Sequence, residues 1–242
     1  MLNLDNVTLV SVSTVDMEES IQALRYSIKG INFKSVKFFS HFNPLQHSDF
    51  YEFIKIQKFK NVEEWGHFIV YKLYQYIETD YVLIIHPDGF VVNPDVWTDD
   101  FLNYDYIGAP WPIPKDNITY RDEKNRLIRV GNSVSLRSYR LLEFPSKNKL
   151  KWTDTHGFFH EDGFICVKIN HLLEEEGMGF APIELAIRFS QETSLQEAKG
   201  IKPFAFHKWE GTNRVYPRFG SYNRLNYKYY LKRIKKLYAK II

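Results

Sequence analysis

The chain of 242 residues has a single cysteine, Cys166. An internal disulfide and a cysteine-built zinc cluster are therefore excluded, and the composition suits a reducing compartment. No stretch approaches the roughly 18 consecutive apolar residues that cross a bilayer. The opening "MLNLDNVTLVSVST" lacks a basic n-region and a long apolar run, so no signal peptide is read there. Two glycine signatures are also missing, G-x-G-x-x-G and G-x-x-x-x-G-K-[ST]. Without them a dinucleotide-dependent dehydrogenase or a Walker-type ATPase is not expected. Internal repeats and low-complexity linkers are absent.

Acid is missing from one end. Arg218 to Ile242 holds eight Lys or Arg and no Asp or Glu. Taking those eight charges from the net +3 of the chain leaves the body at −5. On a helical wheel Tyr227, Tyr230, Leu231, Ile234, Leu237, Tyr238, Ile241 and Ile242 share one arc of this tail. Lys228, Lys232, Arg233, Lys235, Lys236 and Lys240 share the other. A basic amphipathic helix over 225–242 lies on anionic membrane surfaces. The alternative packs its apolar face on the body; nucleic acid is not an expected partner. The chain thus divides into a body, 1–217, and an appended helix, 218–242, with a cytoplasmic location peripheral to the inner membrane face.

The body is well supplied with core. The chain is 44% hydrophobic and 17% aromatic, with 16 Tyr and 5 Trp, enough for one sizeable globular domain. Aromatics supply core, and exposed ones also stack on sugar rings. "NVTLVSVST" (6–14) predicts a strand. Asp16 with Glu19 three residues on predicts a helix start, and Gly30 its stop. A strand over 35–42, a helix over 61–77 capped by Asn61 with Glu64, and a strand buried on both faces at 81–85 follow. Strand, helix, strand, helix, strand implies a parallel α/β sheet with helices on both faces. Short strands are expected at 106–108, 132–137 and 202–209, and a helix over 161–177.

In open α/β sheets ligands sit at the carboxyl ends of the strands. Here those ends carry Ser11, Val12, Ser13 and Thr14, small enough for a nucleotide to approach the backbone; His41; and His86-Pro87-Asp88-Gly89. Asp88, held between Pro87 and Gly89, is placed to bind Mg²⁺ or Mn²⁺ against a diphosphate, or else to cap a turn. His86 shares its direction, and His207 could complete such a site. In "HEDGF" either Glu161 or Asp162 could serve as a general base, the other capping the helix.

The set "DYVLIIHPDGFVVN", "YIGAPW", "RVGNSVSLRS", "HEDGFICV", "APIELAIRFSQE" and "KPFAFHKW" resembles the DUF5672 family, itself similar to glycosyltransferases of the GT-A fold. The resemblance covers roughly 80–209 and implies a mixed, mostly parallel sheet flanked by helices. It implies that "HPDG" stands in place of the Asp-x-Asp motif, with Asp88 on the metal and His86 departing from the first Asp. It implies that His207 is the C-terminal metal ligand, that Glu161 or Asp162 is the catalytic base, and that Asn132 and Ser133 lie near the transferred sugar. Ser133-Val134 departs from the Gly-Gly that family members tend to carry there, and in this setting Trp111 and Trp209 are candidates for stacking on a sugar or for core. The implied function is transfer from a nucleoside diphosphate-sugar, a UDP-sugar by expectation, to a hydroxyl of a glycan or glycolipid in surface polysaccharide or lipopolysaccharide synthesis, with inversion. The rivals are a sugar-phosphate nucleotidyltransferase, whose basic glycine-rich loop after the first strand is missing, and a non-catalytic glycan- or membrane-binding module of the same fold.

Overall fold

The computed structural model describes residues 1–45, 47–155, 157–207, 217 and 219; the side chains of residues 132 and 133 lie outside the description. Strand β1 (Leu2–Val12) is central. β2 (Ile31–Ser40) lies on one side of it and β4 (Tyr81–Ile85) on the other, both parallel to it. β3 (Glu52–Lys55) extends the sheet beyond β2, in parallel. β6 (Val130–Ser138) runs antiparallel to β4, and β5 (Tyr106–Pro110) antiparallel to β6. The order is β3-β2-β1-β4-β6-β5, the mixed, mostly parallel sheet that the family resemblance implies, where the strand–helix alternation alone suggests a parallel one.

Both faces are covered. Leu9, Leu83 and Ile85 point into one apolar cluster with Ile21 and Leu24 of helix α1 (Met17–Ser27). Val10, Val82 and Ile84 point into the other with Phe68 and Ile69 of helix α2 (Val62–Tyr71). This alternation is why β4 reads as five consecutive apolar residues: each face has its own core. Gly30 closes α1 at φ 80°, a conformation that costs glycine little. At α2 the Asn61 side chain accepts from Glu64 N at 2.9 Å, while the Glu64 carboxylate accepts from Lys60 N at 2.8 Å. α2 ends sooner than its apolar period suggests, and Leu73–Tyr76 continue as a 3-10 turn.

Beyond β4 the sequence pattern and the structure part more often. Helix α3 (Tyr139–Lys147) and helix α6 (Ile183–Phe189) were not expected there, nor was the short β3 ahead of β4. Ser138 caps α3 by accepting from Leu141 N, a signal hidden inside a strand pattern. The expected helix over 161–177 is broken. α4 (Glu161–Gly163) passes into a π turn at Phe164–Lys168 before α5 (Asn170–Glu175). Phe164, Ile165, Cys166 and Val167 are all buried, which a single-stripe amphipathic helix would not achieve. The last expected strand shrinks to β8 (Ala205–Phe206), paired with β7 (Ser190–Gln191). The basic tail and Trp209 lie outside the described residues. Among the described residues no helix is long and apolar enough to cross a membrane.

The edge of the sheet is tied down by Asp105. Its carboxylate accepts from Ser138 Oγ (2.5 Å), Arg140 Nε and Nη2 (both 2.6 Å) and Gly179 N (2.9 Å). Burial opposes its ionisation, but these donors prevail and hold the carboxyl below its ordinary range. A depressed carboxyl stabilises the fold above its unfolded pKa and loses that contribution as pH falls through the folded one. Asp105→Asn should therefore cost about 1–3 kcal/mol at pH 7. In urea denaturation the gap to wild type should shrink below about pH 4.

Candidate active site

The turn His86-Pro87-Asp88-Gly89 closes on itself at the carboxyl end of β4. His86 N donates to Gly89 O at 2.7 Å, and Gly89 N donates to His86 O at 3.2 Å. A Cβ on Gly89 would fall 2.6 Å from the His207 ring and 2.7 Å from Val134. Glycine is needed there because the turn is pressed against the strand carrying His207. That strand, β8, is held by Val91 and Ala205 in a bridge and by His207 N donating to Gln191 O at 3.0 Å. The outcome is convergence. His207 Nε2 lies 3.5 Å from Asp88 Oδ1, and the His86 and His207 rings are 5.0 Å apart. Burial opposes ionisation of Asp88, yet the hydrogen bond and charge of His207, with His86, keep its carboxyl below the usual range.

Two concavities meet at this junction. A cleft of about 340 Å³ runs along Ser13, Thr14 and Asp16 after β1, past Asn61 and Trp65 of the α2 start, to His86 and Asp88. Trp65 Nε1 donates to Val12 O at 2.9 Å and sets the indole 5.4 Å from the His86 ring. Phe59 N donates to Thr14 Oγ1 at 3.2 Å, so the chain leading into α2 is fastened to the end of β1. On the other side a cavity of about 630 Å³ is bounded by Tyr120, Phe158, Asp162, Glu192 and His207.

The pair Glu161 and Asp162 separates cleanly. Glu161 is 2% exposed and accepts from Nη2 of the fully buried Arg137 at 2.9 Å. Arg137 Nε in turn donates to Ser135 Oγ at 2.8 Å, and its guanidinium lies 5.2 Å from the Tyr106 ring centroid. Glu161 is thus spent on an internal ion pair. Asp162 faces the cavity, with Oδ1 accepting from Gly163 N at 2.7 Å. Desolvation, reinforced by the Glu161 charge, pushes its carboxyl up to about 7.

The structure does not gather every expected residue. Val12, Ser13 and Thr14 line the cleft, but Ser11 is wholly buried between β2 and β4 and presents nothing to it. His41 packs edge-on against Phe42 at 4.8 Å and is not in the cleft wall. Gly89 supplies close packing and does not line the cleft. Trp111 lines the larger cavity, but it is only 7% exposed and one face of its indole is stacked on Tyr120 at 4.4 Å. Its indole also fills the space above Gly131, where a Cβ would come within 2.5 Å. Asn132 and Ser133 follow Gly131 on β6, but their side chains are outside the described residues, as is Trp209. Sequence reasoning missed Trp65, Tyr120 and Glu192. Only "FSQE", which carries Glu192, drew attention beforehand, and its spacing gave no hint of a partner.

The two acids should behave oppositely on substitution. Glu161→Gln leaves Arg137 buried without its counter-charge and should cost about 3–5 kcal/mol. Asp162 has a raised folded pKa, so the protonated form favours folding and stability is lost as pH rises toward about 7. Asp162→Asn should remove that loss, giving a flatter melting temperature between pH 5 and 8 than wild type, read by circular dichroism.

Solved structures with partial likeness to this chain include two glycosyltransferases and a bifunctional enzyme. Glycosyltransferase GlyE of Streptococcus pneumoniae TIGR4 superposes with a TM-score of 0.50 at 13% identity, over 93% of this chain and 59% of GlyE. A glycosyltransferase involved in glycosylating the major capsid of PBCV-1 gives 0.47 at 15% identity, over 86% of this chain and 95% of that one. The bifunctional IspDF of Campylobacter jejuni gives 0.39 at 10%, over 75% of this chain and 49% of IspDF. The chain therefore spans less than two thirds of GlyE and of IspDF, and at such identities the likeness to GlyE is one of fold. No curated protein matches the sequence. Residues 49–207, which hold the Asp88 turn, Asp162 and His207, match the family described as "Protein of unknown function (DUF5672)", and the chain is a member of that family.

Proposed function

We propose that the protein is a glycosyltransferase that moves a sugar from a nucleoside diphosphate-sugar, with UDP the expected nucleotide, to a hydroxyl of a glycan or glycolipid. The observation that carries this is the position of Asp88 and His207, 3.5 Å apart where a nucleotide-sized cleft meets a larger cavity holding a raised-pKa carboxylate. A donor laid across that junction has its base and ribose along Ser13, Thr14 and Trp65, its diphosphate at Asp88 and its sugar in the cavity.

A divalent cation fits the donor set. Adjacent vertices of an octahedron with bonds of about 2.1 Å are about 3 Å apart, close to the Asp88–His207 separation. Among the described residues no three His, Cys, Asp or Glu side chains form a metal-binding group. Asp88 and His207, with His86 beside them, would therefore hold Mn²⁺ or Mg²⁺ jointly with diphosphate oxygens and water, the habit of such ions at phosphates. When bound, the cation would neutralise charge developing on the leaving diphosphate.

The chain's own work lies at Asp162. The acceptor oxygen attacks the anomeric carbon, the bond from that carbon to the diphosphate oxygen breaks, and the hydroxyl proton passes to the Asp162 carboxylate. A single displacement of this kind inverts the anomeric centre. A carboxyl near pH 7 is matched to this task, because it is basic enough to take a proton and still ionised in a large fraction of molecules. Glu161, through Arg137, keeps the helix carrying Asp162 in register. The basic segment 225–242 supports an acceptor at an anionic membrane face.

Thermal unfolding with nucleotides tests the binding half. UDP with Mn²⁺ at about 100 times its Kd should raise the melting temperature by about 5–10 °C. EDTA, Asp88→Ala or His207→Ala should each abolish the rise. An equal rise in EDTA would remove the cation from the site, and no rise with any nucleoside diphosphate would overturn the proposal. For the chemical half, Asp162→Asn should lower kcat by about 10²–10⁴ with KM little changed. The wild-type kcat/KM should climb with pH through about 7 as Asp162 ionises.

A further inference from the structure

The cavity beyond the Asp88–His207 junction has a charge pattern of its own. From it we infer that the sugar carried by the donor is uncharged or amino-substituted rather than a uronic acid, and that Glu192 is the residue that excludes the anion. This rests on the transferase reading above.

Glu192 follows β7 directly, and its Oε1 lies 3.6 Å from His207 Nδ1. The other ring nitrogen of His207 faces Asp88. A diphosphate held at Asp88 and His207 therefore delivers its attached sugar to the side of the imidazole where Glu192 stands. Asp162 belongs to the same wall, so two carboxylates border the space. Among the described residues lining it there is no Lys or Arg; the groups able to carry positive charge there are His160 and His207. A carboxylate on the sugar would meet like charge in a cavity partly walled by the Tyr120 and Phe158 rings, where electrostatic repulsion is screened less than in water. Sites that recognise carboxylates commonly use the paired N–H groups of arginine, and none is present among these lining residues. The rest of the wall suits neutral hydroxyls. Thr119, Thr155 and Thr193 line it, and each hydroxyl both donates and accepts. A protonated amine on the sugar would be drawn to the same carboxylates. At about 630 Å³ the cavity lies within the range of small-molecule sites, about 300–1,000 Å³, leaving room for an acceptor hydroxyl beside Asp162.

The test compares binding of UDP, UDP-glucose and UDP-glucuronate by calorimetry with Mn²⁺, on wild type and on Glu192→Gln. In wild type UDP-glucuronate should bind at least about tenfold more weakly than UDP-glucose. Glu192→Gln should bring the two within about threefold. Because the comparison is a ratio on one protein, a purely structural role for Glu192 would weaken both conjugates alike and leave the ratio unmoved. Equal or tighter binding of UDP-glucuronate in wild type, or a ratio that survives Glu192→Gln, would overturn the inference. Failure of UDP itself to bind would sink the transferase reading instead. The cavity is then probed alone, by saturation-transfer NMR with methyl glucoside and methyl glucuronide. A signal from the glucoside only supports the charge selection, and a glucuronide signal as strong or stronger overturns it.

Discussion

A single guanidinium inside the protein organises the half of the molecule where the sequence pattern is hardest to read. Arg137 is fully buried on β6, with Glu161 as its counter-charge and Ser135 as a second partner. Such a charge is tolerated only if its partners stay in place. This fixes α4 against the antiparallel strand. Because Glu161 must face inward, its neighbour Asp162 is directed to the cavity. The π turn that follows lets four consecutive apolar residues be buried without moving that anchor. The base candidate is thus set by a structural pair one residue away from it.

The second constraint is the closeness of the β4 turn to β8. Gly89 allows the His207 backbone and ring to lie where a side chain would otherwise stand. Without that approach, Asp88 and His207 would be two unrelated residues 119 positions apart in the chain. With it they form the seam between the cleft and the cavity. Burial of the seam alone would raise the Asp88 carboxyl, and the imidazoles around it reverse the effect. At Asp162 desolvation and the Glu161 charge outweigh the Gly163 hydrogen bond and the Arg137 charge, and its carboxyl is pushed up to about 7. One carboxylate is kept firmly ionised and the other is poised to gain or lose its proton, a division of roles set by neighbours.

Legibility falls along the chain for a physical reason. The parallel half is built from local rules. A strand with both faces buried is a short apolar run, Asn61 and Glu64 cap a helix, and Gly30 stops one. β1, β2, β4, α1 and α2 accordingly appear where they are expected, although α2 stops at Tyr71 and passes into a 3-10 turn. The antiparallel half depends on contacts remote in sequence. α3 starts within a strand pattern, and the helix after Glu161 is reshaped by what packs around it; in the parallel half only β3, four residues long, reads as loop. Aromatic counting left Trp111 open between core and cavity wall, and only packing shows that it is mostly buried, stacked on Tyr120, yet part of the cavity lining.

By itself the sequence determined the α/β class, the capped helices on either face of a parallel core, the Pro-Asp-Gly turn at the end of β4 and the family to which its motifs belong. Those features rest on backbone geometry and hydrophobic period, which act over a few residues. Only the tertiary structure decided which of two adjacent acids is an internal ion partner and which faces a cavity, that Ser11 and His41 stand apart from the cleft, and that Glu192 sits beside His207. Burial and charge proximity are properties of the packed chain, and no spacing along the sequence encodes them.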